Sequence, residues 1–461
     1  MKKTVFILSA VFALVACSKE KPVTQNDGPI DPSKVVFNFT VKHADDTKAI
    51  KTDWADGDIV YVFFADNFSQ WVKLTRSGSS WTFTDKEGGD DYTDLDLASS
   101  GNVTAVYANA ATPSSDGVII TFADAQPGYL LTATAEYTVT STTEVTTLSA
   151  TLDMRAPANL IQVYVPGLSA PGSGNEYVLN MTNVKPFTVG AITPGDAVSI
   201  TYGTANFPLM GVNATIGSDS GYYFWGVLNE TDASARTYNF QVVERNAEKK
   251  YAISSKSKTG STTLTGSKAI KLTSLTDNGK FVSLGYAGGP FWATGNLDKT
   301  NGEIVDPLLA GEYFMYGYTT PYDMWDDMYE GEENPLSLSA DVAYSVNTAW
   351  RIPSAAQFDA LIDSSNTANA WVTDWTSLGE EDPKGGGMLI TSKSNGISLF
   401  FAAAGWCMLG GLGEEGIAGL YWTSTLNCQY TSYGLRFDKG HLNVSSTLSV
   451  DFGFSVRPVH E

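Results

Sequence analysis

The last forty residues constrain the fold most, because their apolar and polar residues alternate with a period of two. The alternation runs through 433–437, is interrupted by the turn residues 438–440, and resumes over 442–444. A period of two is that of a half-buried strand, so two such runs around a turn predict a β-hairpin. Alternating apolar residues over 452–456 predict a last strand, which we expect to end near Pro458 because proline has no backbone N–H to donate.

This segment closes a set of motifs that run in order from residue 280 to residue 461. They are Phe291-Trp-Ala-Thr294, Gly311-Glu-Tyr-Phe-Met-Tyr-Gly317, Trp350-Arg-Ile-Pro-Ser354, Asn395-Gly396 with Phe401-Ala-Ala-Ala-Gly405, and Tyr421-Trp-Thr-Ser-Thr425 with Gly453-Phe-Ser-Val-Arg-Pro-Val459. The set resembles the C-terminal module of Bacteroidetes surface proteins of the major paralogous domain type. The resemblance implies an α+β, C-type-lectin-like fold, and it leaves the ligand open because the motifs are mainly framework.

One helix is predicted inside this module. Ser354 is the expected N-cap, and Gln357, three residues later, completes a capping box. Phe358, Leu361 and Ile362 fall on one helical face. We therefore expect a helix of about ten residues that packs on a small sheet.

Composition favours a mainly β protein that does not bind nucleic acid. The 461 residues include 43 glycines and 12% aromatic residues, which favours strands and turns over helices. The chain carries 50 Asp plus Glu against 29 Lys plus Arg, giving a formal net charge of -21. That charge repels a phosphate backbone, so nucleic acid is not an expected partner.

Residues 1–16 are predicted to be an export signal. A positively charged start precedes an apolar run, 5–15, that is too short to span a bilayer. Leu14-Val-Ala-Cys17 resembles a bacterial lipobox, which implies that Cys17 is lipidated and anchors the protein in the outer membrane, exposed at the cell surface. The alternative is an ordinary signal peptide with an incidental cysteine. Residues 17–34 are polar and contain prolines, so we expect a tether.

Residues 35–150 are expected to form a first β-sandwich. Alternating residues from Val35 predict its first strand, and Lys51-Thr-Asp-Trp-Ala-Asp-Gly-Asp58 precedes a buried strand. This motif resembles the start of fimbrillin-like proteins of Bacteroidetes, which implies two tandem transthyretin-like β-sandwiches. The Thr- and Ser-rich stretch 132–152 predicts an exposed strand.

Residues 151–276 are expected to form the second sandwich. Leu160-Ile-Gln-Val-Tyr-Val165 predicts its first core strand, which Pro166-Gly167 ends. The full prediction is a mainly β chain, with the two sandwiches followed by the α+β lectin-like module at 280–461.

The sequence shows no constellation typical of catalysis, so we do not expect an enzyme. His43, His441 and His460 lie in separate segments, and none has a second His or Cys at metal-ligand spacing. A thiol nucleophile would have to be Cys407 or Cys428. A carboxylate pair for glycoside hydrolysis depends on spacing in three dimensions, so it stays open.

Cys407 and Cys428 are also candidates for a disulfide. Behind an export signal they would pass through an oxidising route, where a bridge can form. The alternative is two buried thiols.

The first candidate for ligand binding is segment 322–334, which contains six acidic and three aromatic residues. One interpretation is a solvated acidic insertion. Another is a Ca²⁺ site with hard oxygen ligands, the only cofactor we consider, and its candidate ligands are Asp323, Asp326, Asp327 and Glu330. A third is a sugar site, in which aromatic rings stack and carboxylates accept hydroxyls; its candidates are Trp325, Tyr329, Glu330 and Glu332. Trp371 and Trp375 form a second aromatic candidate, with core packing as the alternative.

Together these patterns predict an adhesin or a fimbrial tip or accessory subunit held at the membrane by its lipid. The lectin-like module would bind a host or microbial surface glycan or protein, and other fimbrial subunits are further candidate partners. Two alternatives stay open. One is a lipoprotein that captures glycans for a polysaccharide uptake system, and the other is a purely structural pilus subunit that polymerises by strand donation.

Overall fold

The fold is mainly β, as the sequence predicts. The computed structural model describes residues 35–43, 54–64, 67–87, 100–107, 111–113, 120–122, 131–142, 144–156, 158–189, 200–202, 208–216, 219–228, 234–264, 268–322, 334, 336–377, 384–409 and 411–460. In those ranges 36 strands accompany two short helices. Neither helix of the described chain is long and apolar enough to cross a bilayer.

The first unit consists of one curled, seven-stranded sheet and a separate two-stranded sheet. Its strands are β1 Val35–His43, β2 Ile59–Phe64, β3 Asn67–Ser77, β4 Ser80–Glu87, β5 Ser100–Tyr107, β6 Ala111–Pro113, β7 Ile120–Phe122, β8 Leu131–Ser141 and β9 Thr146–Met154. Seven of them pair in the order β1-β9-β8-β5-β2-β3-β4, and β6 and β7 form a separate pair. The rings of Phe37 on β1 and Phe83 on β4 lie 5.5 Å apart, so the two edge strands approach each other around one core.

Strands β3 and β4 form a hairpin: Ser77 of β3 pairs with Ser80 of β4 around Gly78, whose φ of +57° suits glycine. The prediction of an exposed strand over 132–152 is wrong. This stretch forms two internal strands, β8 and β9, because every second residue is apolar and faces the core while Thr and Ser face outward. Pairing of β9 continues to Met154, so the change of unit lies between 154 and 160 rather than at 150–151.

The second unit folds into two layers. Its strands are β10 Leu160–Pro166, β11 Asn175–Met181, β12 Val184–Lys185, β13 Phe187–Val189, β14 Ile200–Tyr202, β15 Leu209–Ile216, β16 Asp219–Leu228, β17 Arg236–Asn246, β18 Ala252–Thr262, β19 Lys268–Lys271 and β20 Thr276–Asp277. The order is β19-β10-β16-β15-β11-β17-β18-β20, with β12 beside β16. Only two residue pairs join β11 to β15. This weak junction divides the strands into two layers, β19-β10-β16-β15 and β11-β17-β18-β20. Val163 of β10 and Phe240 of β17 share one core, so the two layers pack face to face.

The C-terminal module combines several small sheets with both helices. Its elements are β21 Phe281–Ser283, β22 Phe291–Ala293, β23 Leu297–Asp298, β24 Glu303–Ile304, β25 Tyr313–Phe314, α1 Val342–Val346, β26 Trp350–Arg351, α2 Ala355–Ile362, β27 Thr367–Ser377, β28 Lys384–Ser392, β29 Ser398–Ala402, β30 Trp406–Met408, β31 Gly411–Gly413, β32 Gly419–Cys428, β33 Thr431–Phe437, β34 Leu442–Ser449, β35 Phe454–Ser455 and β36 Val459–His460. The main sheets have the orders β21-β22-β36-β26, β25-β35-β32-β33-β34 and β27-β28-β29.

The predicted C-terminal hairpin is confirmed. The last predicted strand ends before Pro458, as expected, but a further short strand follows that proline. Phe437 of β33 pairs with Leu442 of β34. Strand β35 stops at Ser455, and the chain pairs again after Pro458 as β36. Residue Val459 lies beside Trp292 of β22, so the end of the module returns to its start.

The predicted helix is confirmed, including its capping box. In α2, the Ser354 hydroxyl accepts from the Gln357 N–H at 3.2 Å, and the Gln357 side chain accepts from the Ser354 N–H at 2.8 Å. The helix has eight residues and buries Phe358 and Leu361. It ends at Asp363, whose N–H still donates to the carbonyl of Asp359.

The second unit and the module share one hydrophobic cluster. Val178, Val243 and Ala252 of the second unit lie in the same buried cluster as the core of the module. The Ser255 hydroxyl donates to the Phe281 carbonyl at 2.6 Å, and the Thr294 hydroxyl donates to the Ile253 carbonyl at 2.8 Å. The two predicted units therefore meet through a packed interface.

Candidate functional site

Most of the predicted site residues lie outside the described part of the chain and stay predictions. These are the lipidation site Cys17, the calcium candidates and the aromatic and acidic sugar-binding candidates: Asp323, Trp325, Asp326, Asp327, Tyr329, Glu330 and Glu332. Where the structure is described, no group of three or more His, Cys, Asp or Glu side chains is placed to hold a metal ion.

Trp371 is positioned as a packing residue. Its ring lies 6.4 Å from Phe437 and packs against the module core. A Cβ at Gly386 would lie 2.5 Å from the same ring, so the neighbouring strand needs glycine there. For Trp375 the structure describes the backbone in β27 and not the side chain. The geometry at Trp371 favours the core interpretation.

The candidate disulfide between Cys407 and Cys428 is not formed. Cys407 and Cys428 are both thiols in the structure. Cys407 lies in the short strand β30, whose backbone pairs with Gly453, whereas Cys428 is exposed at the end of β32 with its Sγ 3.1 Å from the Thr431 hydroxyl. Different sheets therefore hold the two residues.

The motif residues of the module are buried framework, as the sequence analysis expects. The Trp422 indole N–H donates to the Phe314 carbonyl at 2.6 Å. The Trp292 indole N–H donates to the Tyr286 hydroxyl at 2.9 Å. Both indoles are almost fully buried. These contacts position the strands of the module and leave ligand binding to other residues.

A cleft that the sequence analysis missed lies where the second unit meets the module. On β11 and β17, Val178 and Val243 project from one face of the sheet and pack under the module. Strands alternate, so Asn180 and Gln241 project from that same face. The face is apolar beneath the module core and becomes polar at its margin, and the cleft opens at this margin.

Amides and hydroxyls dominate the lining of this cleft, which we call the junction cleft. Its volume is about 640 Å³, within the range of roughly 300–1,000 Å³ usual for small-ligand sites. The second unit contributes Asn180, Asn183, Lys185, Asn239, Gln241 and Lys258, and the module contributes Ser283, Phe291, Ser394 and Asn395. The site is therefore shared between two units.

Hydrogen bonds fix several of these amides. The Asn395 side-chain N–H donates to the Ser283 carbonyl at 3.0 Å. The Thr259 hydroxyl donates to Asn239 Oδ1 at 3.0 Å, which leaves the N–H₂ group of Asn239 at the exposed end of that side chain. With its amide oriented for best bonding, Gln241 donates to the Ser283 carbonyl at 3.0 Å and accepts from the Ser283 N–H at 2.8 Å. The two hydrogen bonds between Gln241 and Ser283 thus join the second unit to the module across the cleft.

The junction cleft has an unusual charge for this protein. Among the described residues that line it there is no Asp or Glu, whereas Lys185 and Lys258 are present. The whole chain carries a formal net charge of -21. An acidic surface with one carboxylate-free, lysine-containing cleft favours a neutral or anionic ligand there.

A second cleft adjoins the first. Its volume is about 710 Å³, and it shares Lys258, Thr259 and Phe291 with the junction cleft. Trp350 also lines it, as do two acids that already pair with lysines: Asp277 with Lys256 at 2.6 Å and Glu303 with Lys280 at 3.9 Å. The half-buried Phe291 borders both clefts.

The sequence contains polar residues that line this site, but it does not show that they face a cleft. Asn180 and Gln241 interrupt apolar strands. A polar residue at such a position can face either solvent or a neighbouring unit, and only the docking of the module decides between these.

Comparisons with known proteins are sparse. No family model matches the sequence, and no curated protein matches it. Among solved structures, a fimbrial protein from Bacteroides ovatus aligns with 94% of this chain and 100% of its own, at 11% identity and a TM-score of 0.20. A "putative cell adhesion protein" from the same species aligns over 53% and 97% at 13% identity and a TM-score of 0.23. A "putative adhesin", also from Bacteroides ovatus, aligns over 57% and 95% at 10% identity and a TM-score of 0.22. Similarities this low establish neither a family nor a function for this chain.

Proposed function

We propose that this protein is a non-catalytic cell-surface adhesin or fimbrial tip or accessory subunit, anchored in the outer membrane through lipid on Cys17. Its C-terminal module, of C-type-lectin-like type by resemblance, presents the ligand-binding surface together with the second unit. The two preceding β units act as a stalk or assembly platform.

The observation that carries the proposal is the junction cleft. Amide and hydroxyl groups from both units meet around a half-buried aromatic ring, Phe291. A concave site with convergent polar groups beside an aromatic surface suits polyhydroxylated ligands, because hydroxyls exchange hydrogen bonds with amides while the sugar's C–H face packs on the ring. Carbohydrate recognition on a surface protein is an adhesive function.

A binding survey tests the proposal. The intact mature protein is applied to arrays of host and microbial glycans and to a panel of host-matrix proteins, with and without Ca²⁺. The intact chain is needed because the module shares a buried cluster with the second unit. Binding to defined array members supports adhesion, and loss of cell adherence after deletion of the gene supports it further. Absence of binding under every condition contradicts it.

Glycan capture for an uptake system is distinguished by growth. A capture protein is needed for growth on the polysaccharide that it binds. An adhesin leaves growth in liquid culture unchanged. Growth of a deletion strain on individual polysaccharides therefore separates the two functions.

One observation favours a structural subunit as a second candidate. Strand β1 lies at the edge of the first sheet and pairs in parallel with β9 along its whole length. Edge strands are the positions where another chain can add or replace a strand. Protein sequencing of the mature surface protein tests this: removal of the segment before residue 60 supports strand exchange, and an intact 35–60 segment contradicts it.

A further inference from the structure

We infer that the junction cleft binds an acidic oligosaccharide, with Asn180 and Lys185 as specificity-determining residues. The inference rests on the proposed adhesive function and adds to it the site and the chemical class of the ligand. It places recognition between the second unit and the module.

The first argument is an amide donor that the protein does not use. The Nδ2 atom of Asn180 is buried and has no hydrogen-bond acceptor within the described structure. Its strand neighbours Leu179 and Met181 face the opposite, apolar side and sit in the core of the second unit. A buried N–H without an acceptor is destabilising, and a ligand oxygen that accepts from it removes that penalty. Asn180 lines the cleft, and its terminal sp³–sp² torsion is broad, so a change in that torsion would present this donor to a ligand oxygen.

The second argument is charge. Lys185 lines the cleft, and among the described contacts its ammonium group has no hydrogen bond or ion pair. The other lysine of the cleft, Lys258, donates to the Thr273 carbonyl at 2.5 Å. A carboxylate or sulfate on a sugar would give Lys185 its counter-charge, since no Asp or Glu lines this cleft in the described chain.

The third argument is the set of uncharged side chains that line the rest of the cleft. The Asn239 amide is oriented by one hydrogen bond, which it accepts from the Thr259 hydroxyl. The Asn395 amide is oriented by two, since it donates to the Ser283 carbonyl and accepts from the Ile397 N–H. Phe291 borders both this cleft and its neighbour, which contains Trp350. Oriented amides, an aromatic ring and one ammonium match the hydroxyls, the C–H face and the acid of a charged sugar. A peptide ligand would instead call for apolar side-chain pockets or a free strand edge.

The test uses matched pairs of oligosaccharides that differ in charge. The intact protein is titrated by calorimetry with trigalacturonate, sialyllactose and a hyaluronan tetrasaccharide, each paired with its own neutral methyl ester. We expect at least one acidic member to bind more than about tenfold more tightly than its neutral partner, because charge-assisted hydrogen bonds are about twice as strong as neutral ones. Its affinity should fall as salt rises.

Variants locate the site. Asn180→Ala and Lys185→Gln should each weaken binding of that acidic member by about tenfold or more. Lys185→Arg should retain most of it. Lys439→Gln makes the same charge change in the turn between β33 and β34 and should leave the affinity unchanged. Circular dichroism and the urea midpoint check folding, and if Asn180→Ala does not fold, Lys185→Gln against Lys185→Arg decides.

The outcomes separate this inference from the proposed function. Equal binding of acidic and neutral partners, no binding of any acidic member, or full affinity in both cleft variants overturns the inference. If the wild-type protein still binds array members in the survey, the adhesive function stands and its site lies elsewhere. If the wild type binds no glycan or matrix protein at all, both proposals fall.

Discussion

Arg457 is a buried cation that acts as a cross-brace, by which we mean that its guanidinium joins two strands through hydrogen bonds. Its guanidinium donates to the Ala293 carbonyl at 3.2 Å and to the Phe400 carbonyl at 2.8 Å, and it lies 4.4 Å from the centre of the Phe401 ring. Burial lowers its pKa to about 10. The group therefore stays charged at neutral pH and links strands that lie far apart in sequence.

Replacing Arg457 should strongly destabilise the protein. Arg457→Ala removes two charge-assisted hydrogen bonds, leaves both carbonyls unsatisfied and opens a cavity, so we expect a loss of about 3–5 kcal/mol in the free energy of unfolding. Arg436→Ala is the control, because Arg436 is exposed on strand β33, and it should change this free energy by less than about 0.5 kcal/mol. Urea unfolding measures both, and similar values would contradict the cross-brace.

The buried carboxyl of Asp341 makes the free energy of unfolding depend on pH. It caps α1 by accepting from the Tyr344 N–H at 3.1 Å and also accepts from the Ile352 N–H at 3.0 Å. Burial raises the pKa of this carboxyl above 3.8 despite these bonds. Between the ordinary and the raised pKa the folded state holds more protons than the unfolded chain. The free energy of unfolding therefore falls as pH rises through that window.

The Asp341→Asn variant lacks this titration. The stability of the wild type minus that of the variant should fall as pH rises from ~4 to ~7 in urea unfolding at constant ionic strength. Asp363→Asn provides a control of opposite sign, because a hydrogen bond from the Ser365 N–H lowers the pKa of Asp363. Its stabilising contribution is present above the ordinary pKa and is lost as pH falls below it, so the stability difference for this control should be flat between pH ~4 and ~7 and should decrease below pH ~4. A flat difference for Asp341 would contradict the assignment.

At the scale of elements, the sequence predicted those helices and strands whose formation depends on residues close to each other along the chain. The hairpin β33–β34 and the capped helix α2 follow from period and capping, which act over a few residues. Three features could not be predicted this way. The pairing of β36 with β22 and the burial of Arg457 depend on segments more than 150 residues apart, and the internal position of β8 and β9 depends on strand order.

The cap of α2 allows a quantitative test at this scale. Ser354→Ala removes the acceptor for the Gln357 N–H, so we expect a loss of about 1 kcal/mol in the free energy of unfolding. Gln357→Glu keeps the capping box and should be nearly neutral. Thermal or urea unfolding measures both variants, and an unchanged midpoint for Ser354→Ala would show that the cap contributes nothing.

For the whole molecule, the contacts between the second unit and the module matter most. Tyr251 of the second unit is buried against Phe400 of the module, with ring centres 6.4 Å apart. Burial raises the pKa of Tyr251 to about 12. The predicted boundary between residues 276 and 280 falls on a turn, in which the Gly279 N–H donates to Asp277 Oδ1 at 2.9 Å. Turn chemistry reports where the chain reverses and carries no information on whether two units then pack together.

Tyr251→Ala should weaken both units at once. The cavity should cost about 3–5 kcal/mol if the shared cluster unfolds as one. Limited proteolysis in urea, followed by mass spectrometry, should show cleavage within β17 and within β29 beginning at the same, lowered urea concentration. Tyr430→Ala removes an exposed ring and serves as the control. Cleavage of one unit at a concentration where the other stays intact would show that they unfold independently.

Hydrogen exchange of the intact protein, with and without the acidic oligosaccharide that binds most tightly, tests the site most directly. Bound ligand should slow exchange at residues 180–185, 239–241, 257–259 and 283–291, which line the junction cleft. The hairpin at 431–449 should exchange at the same rate in both states. Slowed exchange confined to the segments beside 322–334, with none at the junction, would contradict the account.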